Sequence, residues 1–419
     1  MYKKFILYQQ RIKILWQTTY FPPYNFGLGL SLMLAGWFII LSVLLFWGLD
    51  YGGLLAGHSP EEQTVLDITA NFPNILENFI YWPYYLLVYL LRFLADDGIL
   101  VIRMLNGIFM LIASGSLLFL LRKLNLSLRL SLLVASLFVC NSWILQLARL
   151  GTPHIQILTS ILLFLVLMSL FRSGIRNRWI KIGLLSVAFW NWFNPLMVWG
   201  LGFIAAKLYC NRKSLKRYFG IKFIASLIIL SAILFILLIA SWNANLDNLF
   251  LSLGLPDQLP DINNVLNNFW QSLKAIVWQA PHYPQWWLAQ LPVLGVFTAS
   301  MLPFGAYALL TKKILLPYKA LMLCFGILLI FLSLNQGIQT QGSVLFLLFI
   351  ILLAALGINQ FNNHWRQYFP FNPLARYIGI TILSALICLS LFYQLQRYYI
   401  AWSHNPQTRE IYHLKPTAD

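Results

Sequence analysis

The sequence predicts an all-α, polytopic membrane protein, and three observations carry the prediction. Of its 419 residues, 60% are hydrophobic and 10% charged, with a mean hydropathy of +0.72. Soluble domains are about 25% charged, so this chain lacks the polar surface that water requires. Its apolar residues also collect in runs close to the roughly 20 residues a helix needs to cross a bilayer. The third observation is a partition of charge. The formal charge of +17 comes from basic clusters set between apolar runs. They form no continuous stripe, which excludes a nucleic-acid partner. Cys140, Cys210, Cys324 and Cys388 show no metal-type or redox-type spacing and read as free thiols.

In chain order, a basic N-terminus (Lys3, Lys4, Arg11 and Lys13) precedes an apolar run from Phe26 to Leu49. That run is too long for a signal-peptide core and lacks a small-x-small cleavage site, so it reads as an uncleaved first span. Further runs bring the total to about eleven, near 26–49, 102–121, 130–147, 153–171, 180–193, 195–210, 221–241, 289–310, 319–334, 343–359 and 376–395. The Asn191-Trp-Phe-Asn194-Pro195 stretch reads as the turn between the fifth and sixth. With the N-terminus in the cytoplasm, 22 of the 29 Lys and Arg fall on the cytoplasmic side and all twelve carboxylates on the other. The positive-inside rule counts only Lys and Arg, so the acidic partition is independent support. No carboxylate falls in the middle of a span. Many ion-coupled carriers place one there at about 2.5–3.5 kcal/mol, so its absence argues against that class.

The chain is expected to be a single integral domain, 1–419, with outer segments at 50–101 and 242–288 and an outer polar tail at 396–419. The first segment holds seven of the twelve acids and the apolar stretch Phe79–Leu94, with Tyr81, Trp82, Tyr84, Tyr85 and Tyr89. Counting that stretch as a span would turn the later basic clusters outward. It is therefore expected to be an amphipathic helix at the interface, where Trp and Tyr are favoured. The second segment carries Trp270, Trp278, Trp286 and Trp287 and is expected to form an interfacial helix near 262–279, then a loop.

Candidate chemistry concentrates after the first span, in Gly57-His58-Ser59-Pro60-Glu61-Glu62-Gln63. Neighbouring carboxylates raise one another's proton affinity, which suits one of them to act as a base. The alternative is a solvated helix start, where acids complement the helix dipole. Arg149, in Ala148-Arg-Leu-Gly-Thr-Pro-His154, and Arg103 each sit near the outer end of a span. Each either snorkels to headgroups or binds a phosphate with its planar fork. His58, His154 and His282 share no zinc-type spacing, so no metal site is expected.

The order of these features carries a resemblance. A basic N-terminus, a span, the Glu61-Glu62 loop, the Ile80-Tyr-Trp-Pro-Tyr-Tyr85 helix and Asp97-Gly-Ile-Leu-Val-Ile-Arg103 resemble bacterial GT-C-type glycosyltransferases. More narrowly, they are similar to the family 39-like protein mannosyltransferase and aminoarabinose transferase group. Leu253-Gly-Leu-Pro-Asp257 through Pro284-Gln-Trp-Trp287, Phe371-Asn-Pro-Leu-Ala-Arg376 and Arg397-Tyr-Tyr-Ile-Ala-Trp402 extend the likeness along the chain. One departure is that the family carries Asp-Glu where this chain has Glu61-Glu62.

The resemblance implies a GT-C bundle in the plasma membrane of a prokaryote, with its active site facing outside. It implies a sugar donor linked to polyprenyl phosphate and an acceptor that is lipid, glycan or protein. Glu61 would be the general base, and Glu62 would position substrate or hold a divalent ion, although no cofactor is obligatory. Arg149 and Arg103 would meet the phosphate, with His58, Tyr85 and His154 as further substrate-binding candidates. A lipid or solute transporter and a catalytically inactive GT-C-like scaffold are the alternatives.

Overall fold

The computed structural model describes residues 28–49, 57–78, 80–94, 97–123, 127–172, 178–195, 260–280, 291–311, 318–335 and 343–412, with isolated positions between 229 and 256. The expected span at 195–210, most of that at 221–241, the Pro284-Gln-Trp-Trp287 stretch and the end of the tail after Tyr412 lie outside the described residues. The protein is an α-helical membrane bundle, with no β-strand among the described residues. Four helices among them are long and apolar enough to cross a membrane, and a bent pair makes a fifth if it counts as one span.

Helix α1 (Leu28–Phe46) is apolar on every side, as a membrane span should be. It buries Leu41 and Leu45 and turns Leu32, Ile39 and Ile40 outward. Three short helices follow: α2 (Pro60–Ile68), α3 (Phe72–Glu77) and α4 (Trp82–Arg92). The expected interfacial helix is thus α4. Its aromatic face packs inward, burying Tyr84, Tyr85 and Val88, while Leu90 remains exposed. Helix α5 (Gly98–Lys123) is about 39 Å long at 1.5 Å per residue. It lies at the centre of the first half, against α1 and α4.

The expected straight span at 130–147 is instead broken. Helices α6 (Leu128–Val139) and α7 (Ser142–Arg149) meet at 67°. Asn141 causes the break, because its side chain offers the backbone an alternative to the helical ladder. Its Oδ1 accepts from the Trp143 and Ile144 amides at 3.1 and 3.4 Å, while its Nδ2 donates to the Val293 carbonyl at 3.1 Å. Gln394 accepts from the Ser142 amide at 3.2 Å. The backbone groups freed at the break are therefore satisfied by protein, the condition for irregular backbone inside a membrane.

Helices α8 (His154–Arg172) and α9 (Arg178–Trp192) pack as a pair on α5. The second interfacial helix is present as α10 (Ile262–Val277). It buries Ser272, Ala275 and Ile276 and exposes Ile262, Leu266 and Trp270. Helices α11 (Val296–Ser300), α12 (Leu302–Thr311), α13 (Tyr318–Leu334), α14 (Ser343–Tyr368) and α15 (Pro373–Gln396) complete the second half. α12 and α14 approach backbone to backbone, because a Cβ on Gly305 or Gly357 would strike the facing helix. Small residues give membrane helices this contact.

The C-terminal segment also departs from expectation. Beyond α15 a π-helical turn (Arg397–Trp402) and α16 (Pro406–Ile411) fold back onto the bundle. Tyr398, Trp402 and Tyr412 are buried there, so residues 396–412 are a packed element and not a solvated tail. The aromatic residues decide this, since each gains more by packing than the intervening polar positions lose.

Candidate active site

The site is built on the start of α2. Ser59 is its N-cap and Pro60 its first residue, and Ser59 and Glu62 form a reciprocal capping box. The Glu62 amide donates to Ser59 Oγ at 3.2 Å, and the Ser59 amide donates to Glu62 Oε2 at 3.0 Å. That box fixes the backbone at both acids and sends their side chains in different directions.

Glu62 points inward and is completely buried. Its Oε1 accepts from Arg103 Nε and the Gly151 amide, both at 2.8 Å, and its Oε2 accepts from Arg103 Nη2 at 2.9 Å. Arg103 also donates to the Gly57 carbonyl at 2.9 Å. Burial pushes the Glu62 carboxyl up, but the Arg103 charge and the bonds from Arg103, Gly151 and Ser59 outweigh it. The group is held below its ordinary value, and so stays ionised. Gly151 lies against Ile102, with no room for a Cβ. Glu62 is thus a clasp joining α2, α5 and the loop after α7.

Glu61 points the other way. Its side chain is 39% exposed, and Oε2 lies 3.5 Å from Nε2 of His154 at the start of α8. Tyr85 of α4 sits nearby, where burial and the Glu61 charge push its hydroxyl up. It is therefore protonated and able to donate. Tyr81, which leads into α4 with φ 63, also senses Glu61. His58 is buried beside the cap. A single accessible carboxylate thus stands among proton donors.

Arg149 ends α7 and is 1% exposed. It donates to the Leu44 carbonyl at 2.7 Å, to the Tyr399 hydroxyl at 2.6 Å and to the Trp47 carbonyl. Its guanidinium thereby closes the C-terminal end of α1, where unpaired carbonyls favour a cation. The rings of Tyr398 and Tyr399 lie 5.5 and 5.0 Å away. None of these partners is a carboxylate, and Nε has no partner. Arg149 and Arg103 line one small cavity with Leu49, Leu150, Tyr398, Trp402 and Tyr412. Its space of about 10 Å³ for a water centre admits one water.

The sequence-predicted residues therefore gather around the start of α2, in two compartments. Glu61, His154 and Tyr85 share the accessible one. Glu62, Arg103 and Arg149 lie behind it. Among the described residues no three His, Cys, Asp or Glu side chains come together as a metal site. Ser59 was readable from Ser59-x-x-Glu62, the capping-box pattern. Gly151 and the aromatic cover of Tyr398, Trp402 and Tyr412 carry no such local signal.

Comparison with solved structures decides the architecture. ArnT from Cupriavidus metallidurans bound to undecaprenyl phosphate superposes with a TM-score of 0.54 at 11% identity, over 91% of this chain and 77% of that one. The apo state of the same protein gives 0.55 at 10% identity, over 92% and 77%. The chain has the ArnT fold. No family model and no curated relative matches the sequence. The group singled out by the order of motifs is thus the group whose fold the chain shares.

Proposed function

We propose that the chain is a GT-C glycosyltransferase that moves a sugar from a polyprenyl-phosphate donor to an acceptor on the extracytoplasmic side. One observation carries the reading. Two adjacent carboxylates are given opposite environments, so that Glu62 is fixed and ionised while Glu61 is accessible. The fold it shares with a protein crystallised with undecaprenyl phosphate supports the choice of donor.

In this reading Glu61 takes the proton from the acceptor hydroxyl as that oxygen attacks the anomeric carbon. The bond from that carbon to the phosphate oxygen breaks, and its electron pair leaves with the polyprenyl phosphate. Arg149 supports the phosphate. It is a buried cation facing only neutral partners, and such a charge is costly until an anion arrives. Arg103 is already neutralised by Glu62 and acts on the phosphate at longer range. His154 orients Glu61, and Tyr85 is placed to hydrogen-bond substrate oxygens. His58 supports the loop from behind. The N-terminus is cytoplasmic, which puts Glu61 outside.

Glu61→Gln tests the assignment in proteoliposomes supplied with undecaprenyl-phosphate-linked sugars. Turnover should fall about 100-fold or more, the loss expected for a general base, with donor binding retained. Normal turnover by Glu61→Gln would remove the assignment. Translocation of the lipid by the parent without sugar transfer would replace the enzyme by a transporter, and binding without either would leave a scaffold.

A further inference from the structure

A second polar cluster lies beside this site, between α8, α9 and the residue that leads into α4. Gln156 of α8 is completely buried, and its Oε1 accepts from Trp190 Nε1 at 2.8 Å. Asn191 donates to the Val187 carbonyl at 2.9 Å and to the Ser160 carbonyl at 3.3 Å. Asn194 donates to Ser160 Oγ at 3.0 Å. The Tyr81 amide donates to the Phe193 carbonyl at 2.9 Å, which brings Tyr81 to the same seam. One polar atom of each residue is thereby left over. Gln156 Nε2, Asn191 Oδ1, Asn194 Oδ1 and the Tyr81 hydroxyl are all buried without a partner.

Four unpaired polar atoms in a membrane bundle demand an occupant, since each costs free energy when left unmet. They offer two acceptors and two donors, and none belongs to a charged group. The complement is a neutral molecule with several hydroxyls, each able to donate and accept. The surrounding rings fit the same class. Trp82 and Phe193 lie 5.5 Å apart, and Trp190 stands edge-on to Phe109 at 5.7 Å. They present the flat apolar faces that the C–H side of a sugar ring covers, a few fixed polar groups among aromatic walls being the usual make-up of a small-molecule site. The seam also adjoins the base. Gln156 follows His154 by two residues, and His154 contacts Glu61. Burial, Tyr85 and the Glu61 charge hold the Tyr81 hydroxyl protonated.

We infer that Tyr81, Gln156, Asn191 and Asn194 form the subsite that reads the hydroxyl groups of the transferred sugar. This rests on the donor reading above and adds which residues select the sugar. Tyr81→Phe is the cleanest test, because it removes only an unpaired hydroxyl and no existing bond. Gln156→Met gives a second variant.

Purified full-length protein in nanodiscs is titrated with bare undecaprenyl phosphate and with the same lipid carrying glucose, mannose or 4-amino-4-deoxyarabinose. The parent should bind at least one glycosylated lipid more tightly than the bare one. Each variant should lower that preference about fivefold, the value of one neutral hydrogen bond, while affinity for bare lipid and the melting temperature hold. An unchanged preference would mean that the seam holds ordered water only, and would overturn the inference. Equal loss for bare and glycosylated lipid would show a structural role, and would also overturn it. A parent that binds all four lipids alike would refute the subsite while leaving the phosphate reading intact. A parent that binds none of them would refute the donor reading itself.

Discussion

Replacing Glu62 with glutamine probes the clasp directly. The two carboxylate oxygens accept four N–H groups, with Arg103 Nε and the Gly151 amide on one oxygen and Arg103 Nη2 and the Ser59 amide on the other. A glutamine amide has one acceptor oxygen and one NH2 group. Whichever way it turns, the NH2 meets two donors, and the Arg103 charge is left buried without a counter-ion. Removing one partner of such a pair costs about 3–5 kcal/mol. The assay is a double-mutant cycle by denaturant unfolding in detergent, with Glu62→Gln, Arg103→Met and both together. The double variant should be less destabilised than the sum of the singles by more than about 1 kcal/mol, as expected for residues in one network. Glu61→Gln is the control, and because its side chain is 39% exposed it should change stability by no more than about 0.5 kcal/mol. If Glu62→Gln costs less than about 1 kcal/mol, or if the two substitutions simply add, Glu62 does not clasp the site and the division of labour between the acids is wrong.

Three further outcomes follow from the same geometry. Glu62 is held below its ordinary value in the folded protein, so its contribution to stability is complete above the unfolded carboxyl's pKa, about 4.3. The contribution is lost as pH falls through the folded value. Melting temperature should therefore decline below about pH 4.3 in the parent, with a weaker decline in the Glu62→Gln, Arg103→Met double variant. Arg149→Ala should weaken binding of undecaprenyl phosphate by tenfold to a hundredfold, the loss of one charge-assisted bond. Arg149→Lys should lose less, because it keeps the charge without the fork, and unaltered binding by Arg149→Ala would leave that residue as a cap on α1 alone. For topology, cysteines placed at the exposed Asn71 and Gln367 of a cysteine-free background should react with an impermeant thiol reagent from opposite faces, Asn71 from outside. Labelling of both from one face would overturn the orientation.

Much of the fold was legible because a membrane imposes rules that act on composition. Apolar length places α1, α5, α8, α9, α13, α14 and α15, and the aromatic bias of Tyr81–Tyr89 and Trp270–Trp278 places the two interfacial helices. The same rules are blind to a single polar residue that ends a span from within. Asn141 splits the run at 130–147, yet the run around it is as apolar as its neighbours, and the groups that make the break tolerable, Val293 and Gln394, are more than 150 and 250 residues away. The polar composition of the tail was likewise misleading, because Tyr398, Trp402 and Tyr412 outweigh it only once the bundle offers them a surface.

At the candidate site, the sequence by itself determined which residue types are present, their order along the chain and the local cap at Ser59-x-x-Glu62. It left both acids as equivalent candidates, since adjacent residues of one type differ in nothing that sequence records. Tertiary structure alone decided that Glu62 is an ionised anchor and Glu61 an accessible carboxylate. The reason is physical. A helix start turns successive side chains in different directions, and Arg103 and Gly151, distant in sequence by 41 and 89 residues, lie on only one of the two sides. Burial beside that guanidinium and that amide fixes the charge of one carboxylate, while contact with His154 and solvent leaves the other free to exchange a proton.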